Sequence, residues 1–336
     1  MRPLLLLSAA ACVACGRGPS PAPASQAATT SAPMMPPAEM SHGEAPVGPE
    51  LTHPDRAADA PPRATSRHHR VRMVTAAVRH EVSPGVMYDA WTFDSIVPGP
   101  ILRATVGDTI DFTLVNGADM PHSMDFHAAE IAPNRAYRNV MPHDSISFRF
   151  VPRVPGAFMY HCGTAPVAAH IANGMYGALI IDPAAPRAPA QEFVLVQSEF
   201  YLAPAQGMDS VHALEWQKVL NASPDYVTFN GAASRYATHP IPVKARQPVR
   251  LYVVNAGPNR ISSFHVVGAI FDKVIADGFG PPQLGLQTYN VPVGGGAIFE
   301  LRLAEDGLYP FVTHAFADAT KGAVGILQAG SATKRE

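Results

Sequence analysis

The stretch TIDFTLVN, Thr109 to Asn116, sets Ile110, Phe112 and Leu114 against Thr109, Asp111 and Thr113. Successive side chains of a strand point to opposite faces, so this alternation describes a strand with one face in a core. The segment VRLYVVN, Val249 to Asn255, ends on the same residue roughly 140 positions later. Other short segments surround both: RMVTAAVRHEV, MYDAWTFD, ILRATVG, SISFRFV, GAFMYHC and YGALIID in the first half. EFVLVQSEFYL, YVTFNG, SSFHVVG, AIFELRL, GLYPFVTH and GAVGILQA follow in the second. Turn residues separate them, which is the pattern of an antiparallel sandwich.

The halves match beyond that pair. WTFDS (91–95) corresponds to VTFNG (227–231), MDFH before His127 to SSFH before His265, and GMYGALII to TKGAVGIL. A repeat of this length predicts two β-sandwich domains from one unit, 71–182 and 183–336, with AAPRAPAQ as linker. A chain of 336 residues accommodates two such domains, and its 34 Pro and 26 Gly suit short strands. The only helical expectation is a short segment around Asp209–Leu220. A net charge of −2 with both signs present gives no sign of a nucleic-acid binder.

The start, MRPLLLLSAAACVACG, has a positive residue, an apolar run and small residues before Cys15. The run is too short to span a bilayer, so residues 1–15 read as an export signal. Small residues before a Cys followed by Gly16 resemble a lipoprotein cleavage site, with Cys15 as the lipidated residue and Cys12 as the alternative. A plain signal peptide with an incidental Cys is the other reading. The expected destination is the periplasm or the outer membrane, with a lipid anchor as the only membrane contact. Residues 16–70, rich in Pro, Ala, Ser and Thr, read as a disordered tether. Its Met34, Met35, Met40 and His42 are tether residues, with capture of a soft metal ion as the alternative.

Cys162 is then the only thiol of the exported chain, and burial as a metal thiolate would protect it in an oxidising compartment. It shares one loop with His170 and Met175 in the spacing C-x7-H-x4-M, and His122 lies upstream between strands. Two imidazoles, a thiolate and a weak axial thioether form the trigonal set that copper uses for electron transfer. Taken singly, Met175 reads as core filler, His170 as a loop residue and Cys162 as a small buried hydrophobe.

His161 is adjacent to Cys162, so on a strand the two side chains face opposite ways and cannot share one ion. With His127 and His314 it forms a second candidate set. Three neutral imidazoles with an open fourth position describe a catalytic metal site.

MPHSMDFHAA (120–129), YHCGTAPVAAHIANGMYGA (160–178), SSFHVVG and FVTHAF together resemble the copper-containing nitrite reductases across both halves. The Cys-to-His spacing is similar to that of a shorter-loop subgroup, some of whose members are lipid-anchored. The resemblance implies an all-β fold of two tandem cupredoxin-like Greek-key sandwiches. It implies one type 1 copper per subunit on His122, Cys162, His170 and Met175, and one type 2 copper on His127, His161 and His314. In that family the type 2 site lies between subunits of a homotrimer, which would put His314 on a neighbouring copy. Asp125 and His265 match the residues that deliver protons to bound nitrite, and Val267 stands where many members have Ile at the substrate pocket. EIAPNRAYRNVMPHD (130–144) has no close match to the better-known members.

The function implied is reduction of nitrite to nitric oxide, with the electron passing from type 1 to type 2 copper through Cys162–His161. The donor would be a small redox protein, a cytochrome c or a cupredoxin, docking on Ala165, Pro166, Val167, Ala168 and Ala169 around His170. A laccase-type oxidase needs paired His-x-His motifs that the chain lacks. An electron carrier would leave the second set of histidines without a role. His42, His53, His68, His69, His80, His143, His212 and His239 read mostly as solvated.

Overall fold

The computed structural model describes residues 58–205, 210–278 and 280–331. Cys12, Cys15, the tether methionines, His42 and His53 lie outside them. Thr109–Asn116 alternates between half-buried and buried positions along its whole length, as its sequence requires. It pairs antiparallel with Ser145–Phe150 and parallel with His68–Ser83, which in turn pairs with Val86–Phe93. A second sheet holds Leu102–Thr105, Tyr176–Asp182, Gly156–His161 and Asp125–Phe126 in that order. Between them Met73, Phe112 and Leu114 meet Phe126, Tyr160 and Leu179. Each large apolar side chain so buried contributes roughly 1.5–3 kcal/mol.

The second half repeats the plan. A six-stranded sheet contains Gln191–Phe200, Val249–Gly257 and Gly296–Leu301 side by side. A five-stranded sheet faces it with Val324–Ala329, Gly307–Thr313 and Ser262–Val266 adjacent. Leu195, Leu251, Phe264, Phe299 and Phe311 fill the space between. The sandwiches are mixed rather than antiparallel throughout: His68–Ser83 with Thr109–Asn116 and Gln191–Phe200 with Val249–Gly257 run parallel. A Greek-key return lays a strand beside an earlier one by a long connection, and that connection sets its direction.

A third apolar layer joins the sandwiches. Met159, Ala178 and Ile180 of the first pack on Val194, Val196, Tyr252 and Ile298 of the second. Tyr176–Asp182 is therefore buried on both faces, which is why YGALIID runs apolar without alternating. The backbones come so close that a Cβ on Gly156 would collide with the Asp277 carbonyl, and one on Gly296 with that of Ala157. At the rim, Arg103 forks onto Asp182 at 2.8 and 3.0 Å and reaches Glu192 at 2.8 Å.

The tether ends earlier than Arg70. Ala58 is buried in the second core, Ala60 N–H donates to Glu192 O at 2.9 Å, and Arg103 donates to Pro61 O at 2.7 Å. Alanine and proline carry no signal of such a contact, because backbone groups make it. The expected helical segment is a single turn, Trp216–Leu220, capped by the Glu215 side chain; residues 206–209 lie outside the description. Among the described residues no helix is long and apolar enough to cross a membrane.

Candidate metal centres

The strand Gly156–His161 ends at one end of the first sandwich, and Cys162 follows with its N–H on Met175 O at 3.1 Å. The chain returns through the short helix Val167–Ala172, which presents His170, and Met175 N–H donates to His170 O at 3.1 Å. His122 arrives from the other side, bridged to Val140 by 3.1 and 2.7 Å backbone bonds. Asn116, at the end of the alternating strand, holds this loop. Its Nδ2 donates to Met120 O at 2.7 Å and Val140 O at 2.8 Å, and its Oδ1 accepts from Ala118 N–H and Thr75 Oγ1–H.

The outcome is a buried triangle: His122 Nδ1 to His170 Nδ1 3.2 Å, Cys162 Sγ to His170 Nδ1 3.3 Å, and Sγ to His122 Nδ1 3.8 Å. Ligand bonds of about 2.0–2.3 Å around a trigonal ion separate the donors by about 3.5–4 Å, so the triangle fits one. Burial pushes the His122 imidazole down to about 4. Burial, then His122, pushes His170 down to about 3. Burial raises the Cys162 thiol, against N–H donation from Ser123 at 3.3 Å. Both rings are thus neutral and free to offer lone pairs to a metal, and a thiol so placed loses its proton only to a cation. Met175 is fully buried beside the triangle, and Trp91 covers His170 edge-on at 4.9 Å.

Asp125–Phe126 pairs with the same strand, Asp125 opposite His161 and Phe126 opposite Tyr160. Phe126 and Tyr160 face the core, so Asp125 and His161 share the outer face, with Asp125 Oδ2 3.9 Å from His161 Nε2. His127 follows, and its Nε2 stands 3.1 Å from His161 Nε2. Each ring is oriented by a carbonyl: His127 Nδ1 lies 2.9 Å from Gly294 O, and His161 Nδ1 2.9 Å from Cys162 O. A ring N–H must serve each carbonyl, so both Nε2 atoms present lone pairs to one another. Two ligands on a tetrahedral ion at about 2.0–2.1 Å stand about 3.3 Å apart, which this pair matches.

His314 and His265 are not brought to this pair within one chain. They form a pair of their own on the second sandwich, ring centroids 5.4 Å apart, His314 exposed and His265 donating toward Gln287 O. Val267, just beyond, is 44% exposed. Ala169, expected on the docking surface, is instead buried on Tyr201 and Trp216, because the helical turn lays it inward; Val167 stays exposed, as does Met141 beside Val140. His80, expected in solvent, is buried, stacked on Phe200 and bonded to Gly231 O. The sequence reading missed Asn116, Ser123, Asn139 and Thr164. The last three link through hydroxyl and amide bonds of 3.0–3.2 Å behind Cys162. The repeated terminal Asn of the two matching strands was the available signal for the first.

Two tandem cupredoxin-like sandwiches, with a buried His–Cys–His triangle and an imidazole pair back to back on one strand, define a copper protein of the blue-copper class. The multicopper oxidase family model matches residues 75–186. The copper-containing nitrite reductase of Neisseria gonorrhoeae is 36% identical over 99% of this chain and 88% of its own length. That of Neisseria meningitidis serogroup A is 38% identical over 80% and 71%. The solved copper nitrite reductase from Nitrosomonas europaea aligns with a TM-score of 0.72 at 34% identity, over 79% of this chain and 94% of that one. The chain belongs to the copper-containing nitrite reductase family.

Proposed function

We propose that the chain reduces nitrite by one electron, NO2⁻ + 2H⁺ + e⁻ → NO + H2O, using two kinds of copper held by the residues above. His122, Cys162, His170 and Met175 would hold type 1 copper; His127 and His161, with His314 of a neighbouring copy, would hold type 2. Copper supplies electron storage at the first set and a Lewis-acidic binding position for nitrite at the second.

The observation that carries this reading is the peptide bond between His161 and Cys162. It joins residues whose side chains enter two different donor clusters, which is a covalent path for one electron. Asp125, with a half-buried carboxylate beside His161, and His265 have the chemistry to hold and release the two protons. His314 is exposed, and against its ring lies Phe316, itself exposed, an apolar surface suited to burial against another copy. That supports a homotrimer with the second site between subunits. A small redox protein would deliver electrons over Val167 and Met141, a small apolar contact suited to a transient encounter. Export and a lipid anchor at Cys15 complete the proposal.

The test is His127→Ala in copper-loaded protein. The thiolate-to-copper colour should persist while nitrite turnover is lost. Persisting turnover overturns the assignment of the second site.

A further inference from the structure

His265 lies within the strand Ser262–Val266, paired with Val312 and Thr288, and His314 directly follows the neighbouring strand Gly307–Thr313. Phe264 pairs with Thr313, and His314 N–H donates to Ser263 O at 2.6 Å. That register ends at His314, where the chain turns into the short helix Phe316–Ala319. Upstream of the strand Ser262–Val266, residues 258–261 form an irregular loop. The ladder fixes the two strands, but this loop and the turn after His314 lie beyond it, and a side-chain contact joins them.

That contact is Arg260, whose Nε donates to Asp318 Oδ2 at 2.9 Å. Arg260 is two residues before the strand of His265, and Asp318 four residues after His314. Asp318 is 2% exposed and organises its own turn, its carbonyl accepting from Lys321 and Ala323 N–H. The Arg260 end is equally fixed. Its backbone N–H and that of Asn259 both donate to the buried Glu199 carboxyl, its carbonyl accepts from Asn255 Nδ2 at 2.8 Å, and Asn259 Nδ2 reaches Val219 O. The pair joins a buried carboxylate to a guanidinium that is 36% exposed, so removing Arg260 leaves the Asp318 charge to bear its desolvation cost, while Arg260 without Asp318 is still partly solvated.

We propose that the Arg260–Asp318 ion pair, seated on Glu199, is a positioning brace. It holds the turn that leaves His314 against the loop that enters the strand of His265, and thereby sets the His314 ring at the second metal site. This rests on the placement of His314 at the nitrite-reducing site. Neither Arg260 nor Asp318 need touch nitrite or copper; both act through the His314 imidazole. A displacement near 1 Å at a reacting centre costs up to about 100-fold in rate.

The test uses copper-loaded Asp318→Asn, which keeps the side-chain shape, Arg260→Gln, which removes the charge, and the double variant, with His314→Ala as control. Each single variant should lower nitrite turnover by about 10- to 100-fold and alter the electron paramagnetic signal of type 2 copper. The thiolate colour should be unchanged, and the double variant should lose no more than the worse single. The brace is overturned if the singles keep wild-type turnover and signal, if their losses multiply, or if the thiolate colour falls in parallel. If His314→Ala itself retains turnover, the underlying placement of the second site fails instead.

Discussion

Asn116 and Asn255 close matching strands in the two sandwiches and make the same bonds. Each donates to two carbonyls of the segments it gathers, and each accepts from an N–H two residues on. What they gather differs. In the first sandwich the loop delivers His122, buried and neutral, to the Cys162 thiol and a second imidazole. In the second, counting back from the paired Phe126 and Phe264, Arg260 stands where His122 does, and the end is closed by an ion pair. The imidazole pairs correspond as well: His127 with His161, and His265 with His314, lie on equivalent strands with centroids 5.1 and 5.4 Å apart. Among the described residues one scaffold thus gathers a buried set of soft donors at one end only, while both copies carry two imidazoles on the outer face.

The largest effect that would break this comparison is Cys162→Ala. It should abolish the thiolate colour and nearly all nitrite turnover while one copper per chain remains, measured by absorbance and metal analysis. Loss of both coppers would mean that the two ends are not separate sites.

Replacing the shared asparagine sharpens the contrast. Asn116→Ala orphans buried carbonyls at a cost of about 1–3 kcal/mol each and should weaken the thiolate colour. Asn255→Ala should cost similar stability, leave that colour intact, and slow turnover through the second imidazole pair. Denaturant midpoints and absorbance separate the two outcomes.

The smallest effect is in the metal-free protein. His122 and His170 have folded values of about 4 and about 3, below the ordinary 6.5. The unfolded chain therefore binds more protons in that interval, and the stability these rings contribute is complete above pH 6.5 and lost as pH falls toward 4 and 3. Urea midpoints of apoprotein should fall across that window, and His170→Gln should flatten the fall.

Much of this was legible in the sequence. Alternation in TIDFTLVN requires a half-buried strand. The adjacency of His161 and Cys162 on a strand requires that they face different ways. The repeat locates both imidazole pairs. Direction of pairing was not legible, because His68–Ser83 meets Thr109–Asn116 only through the Greek-key path. The end of the tether was hidden because backbone atoms of residues 58–61 make the contact. Arg260 and Asp318 carry no signal in the sequence, since their pairing joins positions 58 residues apart.

The central claim is that nitrite reacts at the imidazole site and draws its electron through the His161–Cys162 link. The most direct measurement reduces copper-loaded protein without oxygen, adds nitrite, and follows return of the thiolate-copper colour together with released nitric oxide. Wild type should regain the colour as nitric oxide appears, and His161→Ala should show neither. Return of the colour with nitric oxide release at an undiminished rate in His161→Ala would contradict the account.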